Sequence, residues 1–338
     1  VSDWLPEVPV VQAPMAGGAS TPELVAAVCE AGGLGFLAAG YRTAARMRAE
    51  ITRTRELTRR PFGVNVFLPA ADPVDDAAVA AYRERLRPEA ERLGVEPGAP
   101  GPRDDDWDAK VTDLLADPPA VVGFTFGRPD AAVVRAFQRR GTAVVVTVTT
   151  PDEARRAGAA DALCVQGREA GAHRGSFTNG DGEHLPVREL VPRVREVTAT
   201  PLIAAGGIAT ADHVREMLLL GAVAVQAGTA FLRAPESGAS EVHKNALADP
   251  RYTRTAMTRA FSGRPARGLV NRFLAEHSPH APAAYPDVHH LTAPLRRAAA
   301  ARRDPEGVNL WAGESWRLAT AEPAHRIVAA LAGKITNS

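Results

Sequence analysis

The residues of this chain best suited to chemistry are two glycine-bearing turns, two amides and one histidine. Gly206-Gly207 and Gly228-Thr229 each close a short apolar run, one helix-plus-strand unit apart. Glycines let a backbone come close to a ligand. A short helix starting near Thr229 would aim free N–H groups at an anion. Paired loops of this kind, after strands seven and eight, form the usual phosphate site of a (β/α)8 barrel; the plainer alternative is that these glycines only turn the chain. Asn65 and Gln166 end apolar runs of their own. An amide there can donate to and accept from the edge of a heterocycle, or satisfy a loop instead. His173 follows Gln166 in a glycine-containing loop, placed for a general base or a hydrogen-bond donor. Arg168 and Arg174 flank it, able to steer an anion or to stand in solvent. Histidines 277, 280, 289 and 290 have no Cys or His-Glu partner at metal spacing, so no metal centre is expected. Cys29 and Cys164 read as small core residues.

Positioning these groups requires strands that end where they lie. Eight runs qualify: Val8–Gln12, Leu34–Ala38, Phe62–Phe67, Ala120–Phe126, Thr142–Val148, Ala162–Gln166, Leu202–Ala205 and Ala222–Gln226. Helical stretches alternate with them, at Thr21–Ala31, Ala44–Leu57, Asp130–Arg139, Pro151–Ala157, Val187–Val197 and Thr210–Leu219. Several open on start signals, as in Thr21-Pro22-Glu23 and Thr150-Pro151-Asp152. Alternation predicts parallel strands with crossover helices, and eight units predict a TIM (β/α)8 barrel; an open sheet shares the same pattern. In a barrel, function sits at the C-terminal ends of the strands. The Gly33-Leu34-Gly35-Phe36-Leu37-Ala38 stretch matches a loose dinucleotide pattern, but a helix precedes it and a strand follows, the reverse of what that fingerprint needs.

Two regions break the rhythm. Ala70–Asp117 reads as helices near Ala77–Leu93 and Trp107–Leu115, joined by a surface loop. After Phe231 strand signals stop, and Glu241–Ala248, Thr253–Phe261, Leu269–Glu276 and Leu291–Ala301 look helical. Asn309–Trp316 and a helix over Ala321–Leu331 close the chain. The predicted organisation is a barrel over 1–232 and 311–338 with a smaller inserted helical domain over 233–310.

Composition narrows the class. The 338 residues carry 40 basic and 39 acidic side chains, a net charge of +1. That balance argues against a nucleic-acid partner bound by a basic surface. Two cysteines make no disulfide framework, and the first residues lack a signal-peptide pattern, so a cytoplasmic protein is expected. Apolar runs such as Val144–Val148 are too short to span a bilayer.

Gln12-Ala13-Pro14-Met15-Ala16-Gly17-Gly18, Phe62-Gly63-Val64-Asn65-Val66-Phe67, the Gln166–Gly175 loop, Ala204–Ile208 and Gln226–Thr229 together resemble the nitronate monooxygenase family, once called 2-nitropropane dioxygenases. The resemblance extends to Ala260-Phe261-Ser262-Gly263-Arg264-Pro265-Ala266-Arg267-Gly268. It implies a TIM barrel holding FMN under a smaller helical domain. By matched positions Asn65, Gln166, Gly171, Gly206, Gly207, Gln226, Ala227, Gly228 and Thr229 would bind FMN, Ala13 and Met15 would lie along the flavin, and His173 would be the active-site histidine. The implied reaction is oxidation of alkyl nitronates, propionate 3-nitronate among them, by O2 to a carbonyl compound and nitrite. The implied protein is a monomer or homodimer. Two departures stand out. Ala172 occupies a position that is usually glycine, and Glu314-Ser315 replaces a usual Gln-Gly, bringing a negative charge toward the substrate or flavin. The rivals are an FMN-dependent enoyl-ACP reductase-like enzyme, disfavoured by the Gln12–Met15 and Phe62–Phe67 motifs, and a flavin-free barrel that binds a phosphorylated ligand.

Overall fold

The computed structural model describes residues 4–182 and 184–333; the outer ends of the expected barrel segments, 1–3 and 334–338, lie outside them. The strands in chain order are β1 (Val10–Gln12), β2 (Leu34–Ala38), β3 (Gly63–Phe67), β4 (Val121–Thr125), β5 (Ala143–Val148), β6 (Ala162–Gln166), β7 (Ala172–His173), β8 (Leu202–Ala205), β9 (Ala224–Ala227), β10 (Thr255–Thr258) and β11 (Ala266–Leu269). Strands β1–β6, β8 and β9 form a closed parallel barrel, sealed where Val10, Val11 and Gln12 pair with Val225, Gln226 and Ala227. Closure removes the open-sheet alternative. All eight barrel strands overlap the runs read from sequence: β2, β6 and β8 match them, β1, β3, β4 and β5 are shorter by one or two residues, and β9 lies later, from Ala224 to Ala227 instead of Ala222 to Gln226.

Local signals explain the helices between them. Thr21, Thr43, Thr150 and Thr210 each cap a helix by accepting from the amide three residues on, which satisfies a donor the helix leaves unpaired. Apolar faces of these helices pack on the barrel around Leu24, Val28, Phe137, Leu190 and Val214. The lumen is filled by a smaller set, including Val11, Phe36, Val145, Cys164 and Ile203. Gly63 is required there: a Cβ would lie 2.3 Å from the Phe36 ring.

The segment before β4 forms three helices rather than two, Asp76–Arg85, Arg87–Leu93 and Trp107–Ala116. Pro88 has no N–H to continue the first into the second. The region after Phe231 departs further from expectation. It is not all helical: β10 replaces most of the helix expected at Thr253–Phe261, and β11 begins before the helix expected from Leu269, which runs only over Arg272–His277. The next helix starts earlier, at Asp287, and the last one later, at Ala324 after Pro323. Strands β10, β11 and β7 make one antiparallel sheet, with Ala266 opposite His173 and Arg267 opposite Ala172. The 233–310 region is thereby stitched to the histidine loop. Its apolar core also takes in Val79, Tyr82, Leu86 and Leu93 from before β4.

No helix among the described residues is long and apolar enough to cross a membrane.

Candidate active site

A cavity of about 380 Å³ opens at the C-terminal mouth of the barrel. All twelve predicted site residues line it: Ala13, Met15, Asn65, Gln166, Gly171, His173, Gly206, Gly207, Gln226, Ala227, Gly228 and Thr229.

One end is backbone. Gly206 and Gly207 carry φ of +116° and +69°, a region that side chains other than glycine rarely adopt. A Cβ on Gly207 would meet Glu169 Cβ at 3.1 Å, and one on Gly228 would sit in ordinary contact with Ala13 Cβ at 3.4 Å and Met15 Sδ at 3.7 Å, within the cavity. Ser315 Oγ donates to Gly207 O at 2.8 Å, and Thr229 Oγ1 accepts from Gly313 N at 3.0 Å. The chain after the insertion therefore braces both loops. Gly171 makes that closure possible, since a Cβ there would fall 2.5 Å from Gly313 N.

The amides divide in role. Asn65 Oδ1 accepts from Thr125 at 3.1 Å, while its Nδ2 has no partner among the described residues. Gln226 donates to Cys164 Sγ at 3.3 Å. Gln166 spends both ends on the histidine loop, donating to His173 O at 3.1 Å and accepting from Gly175 N at 2.8 Å. It positions that loop, and its second Nε2–H has no partner among the described residues. Burial pushes the Cys164 thiol up to about 12, so it stays protonated and is no nucleophile.

The opposite end is made of side chains. His173 Nε2 lies 2.9 Å from Ser262 Oγ, and Ser262 Oγ lies 3.2 Å from Arg264 O. With the serine proton given to that carbonyl, Nε2–H of His173 donates to Ser262 and Nδ1 keeps the lone pair, an assignment made from the network. Nδ1 has no partner among the described residues. Burial, with Arg264 and Arg296 nearby, pushes the imidazole down to about 3, so it is neutral at ordinary pH. Phe126, Tyr285 and Trp311 surround it with ring centroids 5.7–5.8 Å away. Tyr41 stacks on His289 at 3.8 Å with the planes 6° apart. Arg264 covers the Phe126 face at 4.1 Å, and Arg296 reaches the cavity wall.

Tyr41, Phe126, His243, Arg296 and Trp311 line the cavity without having been singled out in the sequence. Tyr41 follows β2, so the rule that selected the other strand ends would have found it. Nothing in the helix Asp287–Ala301 marks Arg296. The two arginines expected beside the histidine loop do not reach the cavity wall. Arg174 is buried, donating to Gly167 O at 2.7 Å and Arg168 O at 2.8 Å, and Arg168 is exposed. Among the described residues no cluster of His, Cys, Asp or Glu is arranged to hold a metal.

Comparison with known proteins gives this geometry its context. The profile of the nitronate monooxygenase family matches residues 1–333. The chain belongs to the nitronate monooxygenase family. It is an oxidoreductase. A probable nitronate monooxygenase of Staphylococcus aureus strain MSSA476 is 38% identical, over 97% of this chain and 94% of that protein. The solved nitroalkane oxidase of Streptomyces ansochromogenes superposes with a TM-score of 0.95 at 54% identity, covering 98% of this chain and 96% of that one. FabK of Thermotoga maritima is more distant, with a TM-score of 0.74 and 28% identity over 99% of this chain and 94% of that one.

The two departures from the nitronate monooxygenase pattern have different consequences. Ala172 takes φ +60°, the left-handed conformation in which a methyl group is strained. Glu314 does not face the cavity, contrary to expectation. Its carboxylate pairs with Arg267 at 3.1 Å and remains half-exposed, because the turn that braces Gly207 sends residue 314 outward.

Proposed function

We propose that this protein is an FMN-dependent nitronate monooxygenase that converts alkyl nitronates, propionate 3-nitronate among them, with O2 to a carbonyl compound and nitrite. The observation that carries the reading is the polarity of the cavity wall: glycine backbone at one end, a guanidinium and neutral imidazoles at the other, and no carboxylate among the lining residues. One end suits a phosphate and the other an anionic substrate.

The residues present fit FMN. The site at Gly228 is one that a Cβ would fill, against Ala13 and Met15. Asn65 Nδ2 is a polar donor without a partner among the described residues. When bound, FMN would supply the electron transfer that links nitronate to dioxygen. The chain's own residues do the rest. Gly206, Gly207, Gly228 and Thr229 would hold the phosphate, and Ala13, Met15 and Ala227 would wall the ring. Asn65 and Gln226 would meet its polar edge. Gly171 and Gln166 would border the flavin as well, while keeping the cavity's brace and histidine loop in place. The lone pair on His173 Nδ1 would accept the α-proton of a neutral nitroalkane, while Phe126, Tyr285 and Trp311 keep water from the reacting carbon. The two free, buried cysteines suit a reducing compartment, so we place the protein in the cytoplasm, as a monomer or homodimer.

The test is direct. Purified protein should be yellow, heat or acid should release FMN into the supernatant, and a nitronate in air should yield nitrite without any nicotinamide. Release of FAD, flavin retained on the chain, or colourless protein would overturn the cofactor. Nicotinamide oxidation without nitrite formation would favour the enoyl reductase-like alternative. Gel filtration and cell fractionation check the remaining two statements.

A further inference from the structure

We propose that Arg296 is the anion anchor of the substrate end, binding the charged oxygens of the nitronate and thereby selecting the anion over its neutral nitroalkane parent; the proposal rests on the nitronate reading above. Arg296 contributes to the cavity wall and makes no ion pair among the described residues. Its guanidinium is nevertheless fixed. Nε donates to Thr292 Oγ1 at 3.1 Å, Nη1 to Asn309 Oδ1 at 3.3 Å, and Nη2 to His289 O at 3.1 Å and His289 Nδ1 at 3.2 Å. These four acceptors are neutral. A guanidinium has five N–H donors, so one on Nη1 remains free together with the whole charge. His289 can accept from Arg296 only while unprotonated, and burial beside Arg296 pushes its imidazole down to about 2. Its stacking on Tyr41 fixes the ring.

No carboxylate among the described residues pairs with this charge. Arg264, behind the Phe126 ring, adds a second cation whose nearest carboxylate is Asp72, 4.0 Å away. Asp105, the acid beside Tyr41, is taken up by Lys110 at 2.8 Å and by the Tyr41 amide at 2.9 Å. A nitronate is planar, with one negative charge shared by two oxygens, so it presents to a guanidinium much as a carboxylate does. A nitroalkane offers the same oxygens without the net charge. The arginine thus acts on the difference between the two substrates, while His173 Nδ1 acts on the proton that separates them.

Nitrate is a non-reacting probe with the same planar O–N–O group and charge. It should inhibit the wild-type holoenzyme competitively against ethylnitronate. R296Q should raise the ethylnitronate KM and the nitrate Kd by about 10- to 100-fold, with the nitroethane KM nearly unchanged, and R296K should fall between. Nitrate that fails to compete in the wild type overturns the proposal whether or not R296Q folds. So does a folded R296Q, matched to wild type by circular dichroism and Tm, that keeps both constants. Protein that oxidises no nitronate yet binds nitrate through Arg296 would instead overturn the reaction and leave the anchor standing.

Discussion

At the Gly206–Gly207 and Gly228–Thr229 end, the cavity wall is backbone held by two consecutive strand-end loops. At the His173–Arg296 end it is side chains from several separated segments: Tyr41 after β2, Phe126 after β4, His173 on β7, and Arg296 with Trp311 beyond the small sheet, with Ser262 holding His173 from outside the wall. The first end depends on shape and on left-handed turns, which few substitutions leave intact. The second depends on identity, and each member can change without disturbing the barrel. A scaffold divided this way can keep one cofactor while its substrate end varies. Breaking each end should accordingly produce different losses, one of cofactor and one of turnover.

The largest loss belongs to the side-chain end. His173→Asn should lower nitroethane turnover by about 10²–10⁴-fold, the usual contribution of a positioned base. Ethylnitronate, whose proton has already gone, should lose far less, and FMN content should stay near wild type. Equal loss on both substrates would make His173 an anion-positioning group; no loss on either would leave it a structural part of the loop.

The backbone end should fail through occupancy. Gly207→Asp sets a carboxylate where the phosphate would lie, removing a charge-assisted contact worth about 1.5–3 kcal/mol and adding repulsion, so FMN affinity should fall by at least 10- to 100-fold. Gly207→Asn is the control, since asparagine tolerates φ of +69° about as well and carries no charge. Asn retaining much more FMN than Asp supports a phosphate at this loop. Full occupancy in a folded Asp variant would move the phosphate elsewhere.

The same division explains what could be read from the sequence. The backbone end was legible because its determinants are local: an apolar run, a glycine pair, then a capped helix. Tyr41 is legible by the same rule, three residues past Ala38 at the end of β2. The side-chain end was largely not. Thr255 and Thr258 are β-branched and favour a strand, and that strand pairs with the nearby β11, but the sheet reaches the barrel only where β11 also pairs with the two-residue β7, far earlier in sequence. Arg296 shows no motif, because only the packing of its helix turns it toward the cavity. Glu314 misled for a related reason: the partner that takes its charge, Arg267, lies on a strand that was not expected.

Titration should separate the ends more gently. His173, His243 and His289 are pushed by burial down to about 3, 4 and 2, below their ordinary value near 6.5. The unfolded chain therefore takes up protons that the folded chain refuses as pH falls through about 6.5. Their contribution is fully present above that pH and is lost progressively below it. No titratable side chain stands among Gly206, Gly207, Gly228 and Thr229. Amide protection factors, corrected for the intrinsic exchange rate at each pH, should fall over residues 285–311 between pH 7.5 and 5 before they do over 202–208. A uniform fall would mean that the two ends open as one cooperative unit.

The smallest effect asks whether strain at Ala172 serves the histidine beside it. A left-handed alanine costs about 1–2 kcal/mol, and Ala172→Gly would relieve that while returning about 0.4–1 kcal/mol through the greater freedom of the unfolded chain. The net gain should lie between about 0 and 1.6 kcal/mol, a rise in Tm of about 2 °C or less in a chain of this size. Two restraints on His173 do not depend on the methyl group: the pairing of β7 with β11 and the 2.9 Å contact to Ser262. Nitroethane turnover in Ala172→Gly should therefore stay close to wild type while Tm rises slightly. A rise in Tm accompanied by a clear fall in nitroethane turnover, with ethylnitronate turnover preserved, would show the opposite. The strained alanine would then be holding Nδ1 toward the α-proton, and the side-chain end would depend on backbone conformation as the glycine end does.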